Sequence, residues 1–250
     1  ILSPVMTNGA SLILRNALTA DTWEEFIAYA RTTKTPLIIG YKAAISTQNL
    51  IFETALKNAG IAYSKQIDNQ TVPITLVNMF GPQNLVPSMK NELIDGFVCN
   101  QPFPAMAETD GIGKTIVQLS ELPPKGQWRG IPCCGLIATD SFTRAQQETS
   151  RLFATLLMRA NLFINTNQPT AISQVSGWLN HPAAIEERSL PTINFLIDYD
   201  EAWTRGTNFW VKSMVELGKL NNRVSAAYQE GTLEKLIYDM DLYKQARDQI

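Results

Sequence analysis

Two supersecondary units set the tightest limit on what this chain can fold into. The apolar run Leu37-Ile38-Ile39-Gly40-Tyr41 leads through Lys42 to Ser46-Thr47. From there Leu50, Ile51, Ala55 and Leu56 recur at helical spacing up to the stop at Gly60. Further along, residues 94–99 form a second apolar run that ends in the polar turn Asn100-Gln101-Pro102-Phe103. Strand, glycine, helix, then strand and polar turn, is the grammar of an open α/β sheet. In such a sheet the carboxyl ends of strands and the amino ends of helices gather on one edge. Unpaired backbone N–H groups point out of that edge, and small ligands bind there.

The rest of the chain extends this reading. Residues 2–6 and 11–14 are short apolar runs parted by Thr7-Asn8-Gly9. Thr19 to Asp21 are expected to cap a helix whose apolar positions are Trp23, Phe26, Ile27 and Ala30. Strands are expected at 71–77, 115–119 and 133–139, with short helices at 81–89 and 104–110. From Thr143 onward the pattern is helical almost throughout: 144–165, 169–179, 182–187, 199–217 and 225–249. Strands alternating with helices, then a run of helices, predict an α/β fold with a helical C-terminal section.

Composition excludes several function classes. With 21 Lys and Arg against 23 Asp and Glu, the net charge is -2, and no basic stripe marks a nucleic-acid partner. No run approaches the roughly 20 apolar residues of a membrane helix. The start of the chain also lacks the basic lead of a secretory signal. Catalytic machinery is not visible. The single histidine, His181, lies in Asn-His-Pro, no G-x-S-x-G is present, and Gly111-Ile112-Gly113-Lys114-Thr115 is too short for a phosphate loop. Neither a metal-ligand spacing nor a cofactor motif occurs. Cys99, Cys133 and Cys134 are read as buried thiols, one disulfide or a functional thiol.

Four places carry candidate binding chemistry. Ser46 and Thr47 either cap their helix or hand its N–H groups to an anion. Asn100 and Gln101 either present uncharged amides to a ligand, with Phe103 as an apolar wall, or simply start a helix. Asn8, in Thr7-Asn8-Gly9-Ala10, belongs either to a hairpin turn or to backbone passing beneath a ligand. Trp128-Arg129 either clamps an anion or anchors a Gly/Pro-rich loop.

Taken together the pieces resemble the nitrate/sulfonate/taurine branch of type II periplasmic binding proteins, including its thiamine-precursor relatives. The resemblance runs through residues 40–47, Glu92-Leu93-Ile94-Asp95-Gly96-Phe97, Gln101-Pro102-Phe103, Ala107, Gly111-Ile112-Gly113 and residues 133–140. It implies a two-lobed fold, with lobe I from 1–18 and 140–250 and lobe II from 19–139, the chain crossing near Arg15 and Ala138. It implies a solute-binding component of an ABC importer: a monomer outside the cytoplasm, periplasmic or membrane-anchored, that delivers a small molecule to a membrane permease. The expected ligand residues, lining an interlobe cleft, are Asn8, Ser46, Thr47, Asn100, Gln101 and Phe103. No catalytic residue, metal or cofactor is expected.

Two departures from the family pattern matter. Relatives usually carry Glu where this chain has Gln101, so no metal is expected in ligand binding. Relatives also carry about two further strand–helix units ahead of the segment matching Ile1. An upstream extension is therefore expected, one that would cover apolar residues such as Leu152, Phe153, Leu156, Phe163, Trp203, Phe209 and Trp210. The alternatives are a thiamine-pyrimidine-synthase-like enzyme, faintly echoed by Cys133-Cys134-Gly135, and the ligand-sensing domain of a regulator.

Overall fold

The computed structural model describes residues 1–66 and 71–250. In chain order its elements begin with β1 (Ser3–Asn8), β2 (Ala10–Arg15), α1 (Trp23–Thr32), β3 (Leu37–Tyr41), α2 (Thr47–Asn58), β4 (Tyr63–Ser64) and β5 (Ile74–Asn78). Next come α3 (Leu85–Lys90), β6 (Gly96–Asn100), α4 (Phe103–Thr109), β7 (Gly113–Gln118), β8 (Pro132–Leu136), α5 (Asp140–Ala145) and α6 (Gln147–Thr166). The chain ends with α7 (Gln168–Leu179), α8 (Ala183–Ser189), β9 (Ile193–Phe195), α9 (Glu201–Glu216), α10 (Asn222–Gln229), α11 (Leu233–Ile237) and α12 (Met240–Arg247). It divides into two compact units. Residues 1–7, 130–174 and 193–250 make the first, and residues 8–129 and 175–192 the second.

The second unit is built on a six-stranded sheet in the order β4-β5-β3-β6-β2-β7. β3 runs parallel to both β5 and β6, whereas β2 runs antiparallel to β6 and β7. β2 is thus the one reversed strand, and the carboxyl ends of β3, β4, β5, β6 and β7 point to the same edge as its amino end. Helix α1 forms as its sequence dictates. Thr22 Oγ1 accepts from Glu25 N, two acids sit in the first turn, and Trp23, Phe26, Ile27 and Ala30 make the buried stripe. The cap is Thr22, one residue beyond the expected Thr19-to-Asp21 segment. Trp23, Phe26 and Phe52 meet at ring separations of 5.6 to 6.2 Å.

The Ile94-Asp95-Gly96 segment, part of the family resemblance, is a structural staple at the far end of the sheet. Ile94 is buried in the cluster with Ile13, Leu85, Met89 and Phe97. Asp95 Oδ1 accepts from Arg15 Nη2 at 2.6 Å and Oδ2 accepts from Ile38 N at 2.9 Å, which ties β6 to both of its neighbours. A Cβ on Gly96 would lie 2.3 Å from the Ile13 carbonyl oxygen, so only glycine fits beneath β2.

The first unit holds a three-stranded sheet in the order β8-β1-β9. β1 pairs antiparallel with β8, and the register shifts on either side of Met6. Helix α6 packs Ala154 and Met158 onto Leu2, Leu242 and Ala246. Its buried Asn161 donates through Nδ2 to the Val5 and Leu196 carbonyls, at 2.8 and 2.6 Å.

Several expectations need correction. The unit boundaries fall at Thr7/Asn8 and Arg129/Gly130, not at residues 18/19 and 139/140, and residues 175–192 also belong to the second unit. The cause is strand pairing, since β2 is hydrogen-bonded into the six-stranded sheet and β8 into the three-stranded one. The helix expected over 144–165 breaks at Gln146, with φ -133° and ψ 52°. The one expected over 225–249 is three helices, parted at Gly231, with φ 71°, and at the extended Tyr238. Asp239 then caps α12 by accepting from Leu242 N. Of the apolar residues expected to need cover, Leu152, Phe153, Leu156 and Phe163 are exposed on the outer face of α6, whereas Trp203 is buried.

Candidate functional site

The carboxyl-terminal edge of the six-stranded sheet gathers most of the residues singled out from sequence. β3 delivers Lys42, Ser46 and Thr47, and β6, its parallel neighbour, delivers Asn100, Gln101 and Phe103. On the far side of β6, Ala10 pairs with Asn100, and Gly9 O accepts from Gln101 N at 2.7 Å, which sets Asn8 and Gly9 beside that turn. Asn8 and Gly9 have φ of 61° and 67°. They are not a hairpin turn, because β1 and β2 lie in different sheets.

At this edge most of the expected ligand groups are engaged within the protein. Ser46 Oγ accepts from Asn49 N at 3.2 Å as the cap of α2. Gln101 Oε1 accepts from Ala105 N at 3.1 Å, capping α4, and from Ser189 Oγ at 3.4 Å. Asn100 Nδ2 donates to the Gln101 carbonyl at 2.8 Å. Phe103 is partly buried and packs against the Ile13 and Phe97 cluster. Thr47 is half-buried at the start of α2, where the first-turn N–H groups face the edge.

Lys42, which sequence reasoning passed over, is what the Asn100 side chain serves. Its Nζ donates to Asn100 Oδ1 at 2.6 Å. Among the described residues the strand ends at this edge bring two cations, Lys42 and, after β4, Lys65; Lys65 is paired with Glu53 at 2.7 Å, whereas Lys42 is held by the neutral amide of Asn100. A half-buried ammonium held by one neutral amide still has N–H donors to offer an incoming anion. The available sequence signal was a lysine just after a buried strand and just before a helix cap.

Next to Lys42, Cys99 is fully buried, and burial pushes its thiol up to about 12. It is therefore a thiol, not a thiolate, at neutral pH. The Trp128-Arg129 segment anchors a loop. The Trp128 indole donates to Pro123 O at 3.1 Å, and Arg129 forks onto Glu121 at 2.9 and 2.8 Å. His181 Nδ1 stands 3.4 Å from Glu186 Oε1. Among the described residues no group of three or more His, Cys, Asp or Glu side chains is placed to hold a metal. No helix among the described residues is long and apolar enough to cross a membrane.

A cavity of about 780 Å³ lies in the other unit, lined by Asp140, Arg144, Arg223, Glu234, Lys235 and Asp239 among others. Its acids and bases offset one another, as in the Asp140–Arg223 pair at 3.8 Å. With Asp241 its side chains number four acids against three bases, Arg144, Arg223 and Lys235, so it does not favour an anion and the sheet edge is the better candidate.

The fold has clear counterparts among solved structures. The ligand-binding component of an ABC-type import system from Staphylococcus aureus, with zinc bound, superposes with a TM-score of 0.72 at 15% identity. That match covers 98% of this chain and 74% of the other. The periplasmic nitrate-binding protein NrtA from Synechocystis PCC 6803 gives 0.71 at 14% identity, over 100% of this chain and 67% of that one. The alkanesulfonate-binding protein SsuA from Xanthomonas axonopodis pv. citri, bound to MOPS, gives 0.63 at 12% identity, over 88% and 70%. At such identities the likeness is one of fold, and these neighbours are binding proteins, not enzymes. A comparison with curated protein sequences finds no match. Residues 1–180 match the profile of the NMT1-like family, and since that is well over half of the chain, it belongs to that family.

Proposed function

We propose that this chain is the solute-binding component of an ABC importer. It acts as a monomer outside the cytoplasm and hands its ligand to a membrane permease. The ligand is a small anion or organic solute of the nitrate, sulfonate and taurine class, held at the carboxyl-terminal edge of the six-stranded sheet. The observation that carries the reading is Lys42, a cation on that edge held by the neutral amide of Asn100 at 2.6 Å beside the first turn of α2. A cation, a helix start and neutral amides together complement a compact anion without any bond being made or broken. Gln101, where the family resemblance usually has Glu, brings an uncharged amide to the edge and supports binding that needs no metal.

The test is calorimetric titration and thermal shift with nitrate, methanesulfonate, taurine, bicarbonate and a pyrimidine, before and after exhaustive chelation. A ligand bound by the native state alone raises the apparent stability. An anion should bind and raise Tm equally in both preparations. A response confined to the pyrimidine, or lost on chelation, overturns the reading. The enzyme alternative gains no support from the fold neighbours.

A further inference from the structure

Phe80 leaves 85% of its surface in solvent, although it sits at the same sheet edge as Lys42. β5 ends at Asn78, opposite Tyr41 of β3, and Met79 N donates to Tyr41 O at 2.8 Å. Phe80 therefore emerges about one strand spacing, roughly 4.8 Å, from the segment that carries Lys42. Its backbone is left-handed, with φ 54°, a conformation rare for a bulky residue. Two side chains hold it there: Asn78 Oδ1 accepts from Phe80 N at 3.0 Å, and Asn84 Nδ2 donates to Met79 O at 2.8 Å. Ile45, three residues after Lys42 on the neighbouring segment, is 42% exposed. Neither hydration nor packing accounts for an aromatic ring fixed outward on strained backbone, and such strain collects at ligand sites.

This inference rests on the importer reading and narrows it. We infer that the solute is an organic anion, its charged head met by Lys42 and its apolar body laid against Phe80 and Ile45. A bare inorganic oxyanion would leave both apolar side chains in water. Each methylene buried by the ligand is worth about fourfold in affinity.

The experiment is calorimetric titration of the intact chain with nitrate, methanesulfonate, hexanesulfonate and benzenesulfonate. The two larger anions should bind at least about tenfold tighter than nitrate, as burial of two or more methylene equivalents requires. Phe80→Ala should remove most of that advantage and leave methanesulfonate within about twofold, because the charge contact stays intact. Phe80→Trp should keep the advantage. Phe80→Gly should lose it while raising Tm, since glycine accepts the left-handed backbone without strain; this shows that the loss is not misfolding. Nitrate binding as tightly as the larger anions, or an unchanged preference in Phe80→Ala, overturns the inference and leaves the importer reading standing. Binding of none of the four anions overturns both.

Discussion

Replacing Lys42 by Met removes the charge but keeps a similar apolar stem, so affinity and stability can be read separately. In the folded chain the ammonium spends one hydrogen bond, at 2.6 Å, on a neutral amide oxygen. Asn100 is half-buried and keeps its bond to the Gln101 carbonyl, so water can replace the lost donor. The expected loss of stability is about 0.5–1.5 kcal/mol, the net worth of one ordinary hydrogen bond. The ligand loses more. A hydrogen bond between charged partners contributes about 1.5–3 kcal/mol, which is roughly 10- to 150-fold in Kd. Urea denaturation gives the first quantity, and calorimetric titration with the best-binding anion gives the second. Lys42→Arg should restore the charge only in part, because the planar guanidinium cannot reproduce the ammonium's contact with Asn100. If Lys42→Met binds the anion within about twofold of the parent, short of the tenfold minimum above, Lys42 does not meet the ligand and the charge argument falls.

Other consequences are open to direct measurement. Gly96→Ala should destabilise the chain by about 1–3 kcal/mol or more in urea, because its Cβ would meet the Ile13 backbone oxygen at 2.3 Å and backbone cannot step aside. Cys99, buried and with its thiol pushed up to about 12, should resist disulfide reagents at neutral pH until the chain unfolds, whereas exposed Cys134 should react first. The hydrogen bond from Arg247 holds the Asp198 carboxyl below its ordinary value. The stabilisation is therefore present above the unfolded carboxylate range and lost as pH falls through the lower folded value. Asp198→Asn should accordingly cost a small amount near neutral pH and nothing in strong acid, as thermal melts across pH will show. On α6, Leu156→Gln should change stability by less than about 0.5 kcal/mol, since Leu156 is 60% exposed, whereas Met158→Ala, at 0%, should cost about 2–5 kcal/mol.

The fold was legible wherever local pattern and tertiary packing agree. The buried stripe of α1 is the set of four residues that helical spacing picks out, and α2 starts at Ser46 and stops before Gly60 as its capping chemistry requires. Reading failed where the outcome depends on partners distant in sequence. β2 reads as a strand, but nothing local says that it inserts, reversed, between β6 and β7, and that insertion moves the unit boundary to Asn8. β9, three residues long, carries too little periodicity to declare itself. The single long helix read at the C-terminus overlooked what Gly231 does after a short helix, where a left-handed φ of 71° ends the turn.

The site shows the same limit in finer detail. Sequence marks where polar groups gather on a sheet edge, because strand ends and helix starts are local signals. It does not mark which of those groups are spent inward. Ser46 and Gln101 sit at helix starts, where four N–H groups lack partners, and both oxygens answer that local demand. Asn100 answers a demand from Lys42, 58 residues away, and only the adjacency of β3 and β6 brings the two together. The polar residues that look most like ligand contacts are therefore the frame. What they frame is a lysine whose only local mark is its place after the strand, and a phenylalanine that composition alone assigns to the core. Amides turned inward, with Lys42 and Phe80 left at the same edge, are the arrangement we infer to complement a solute with both a charge and an apolar face.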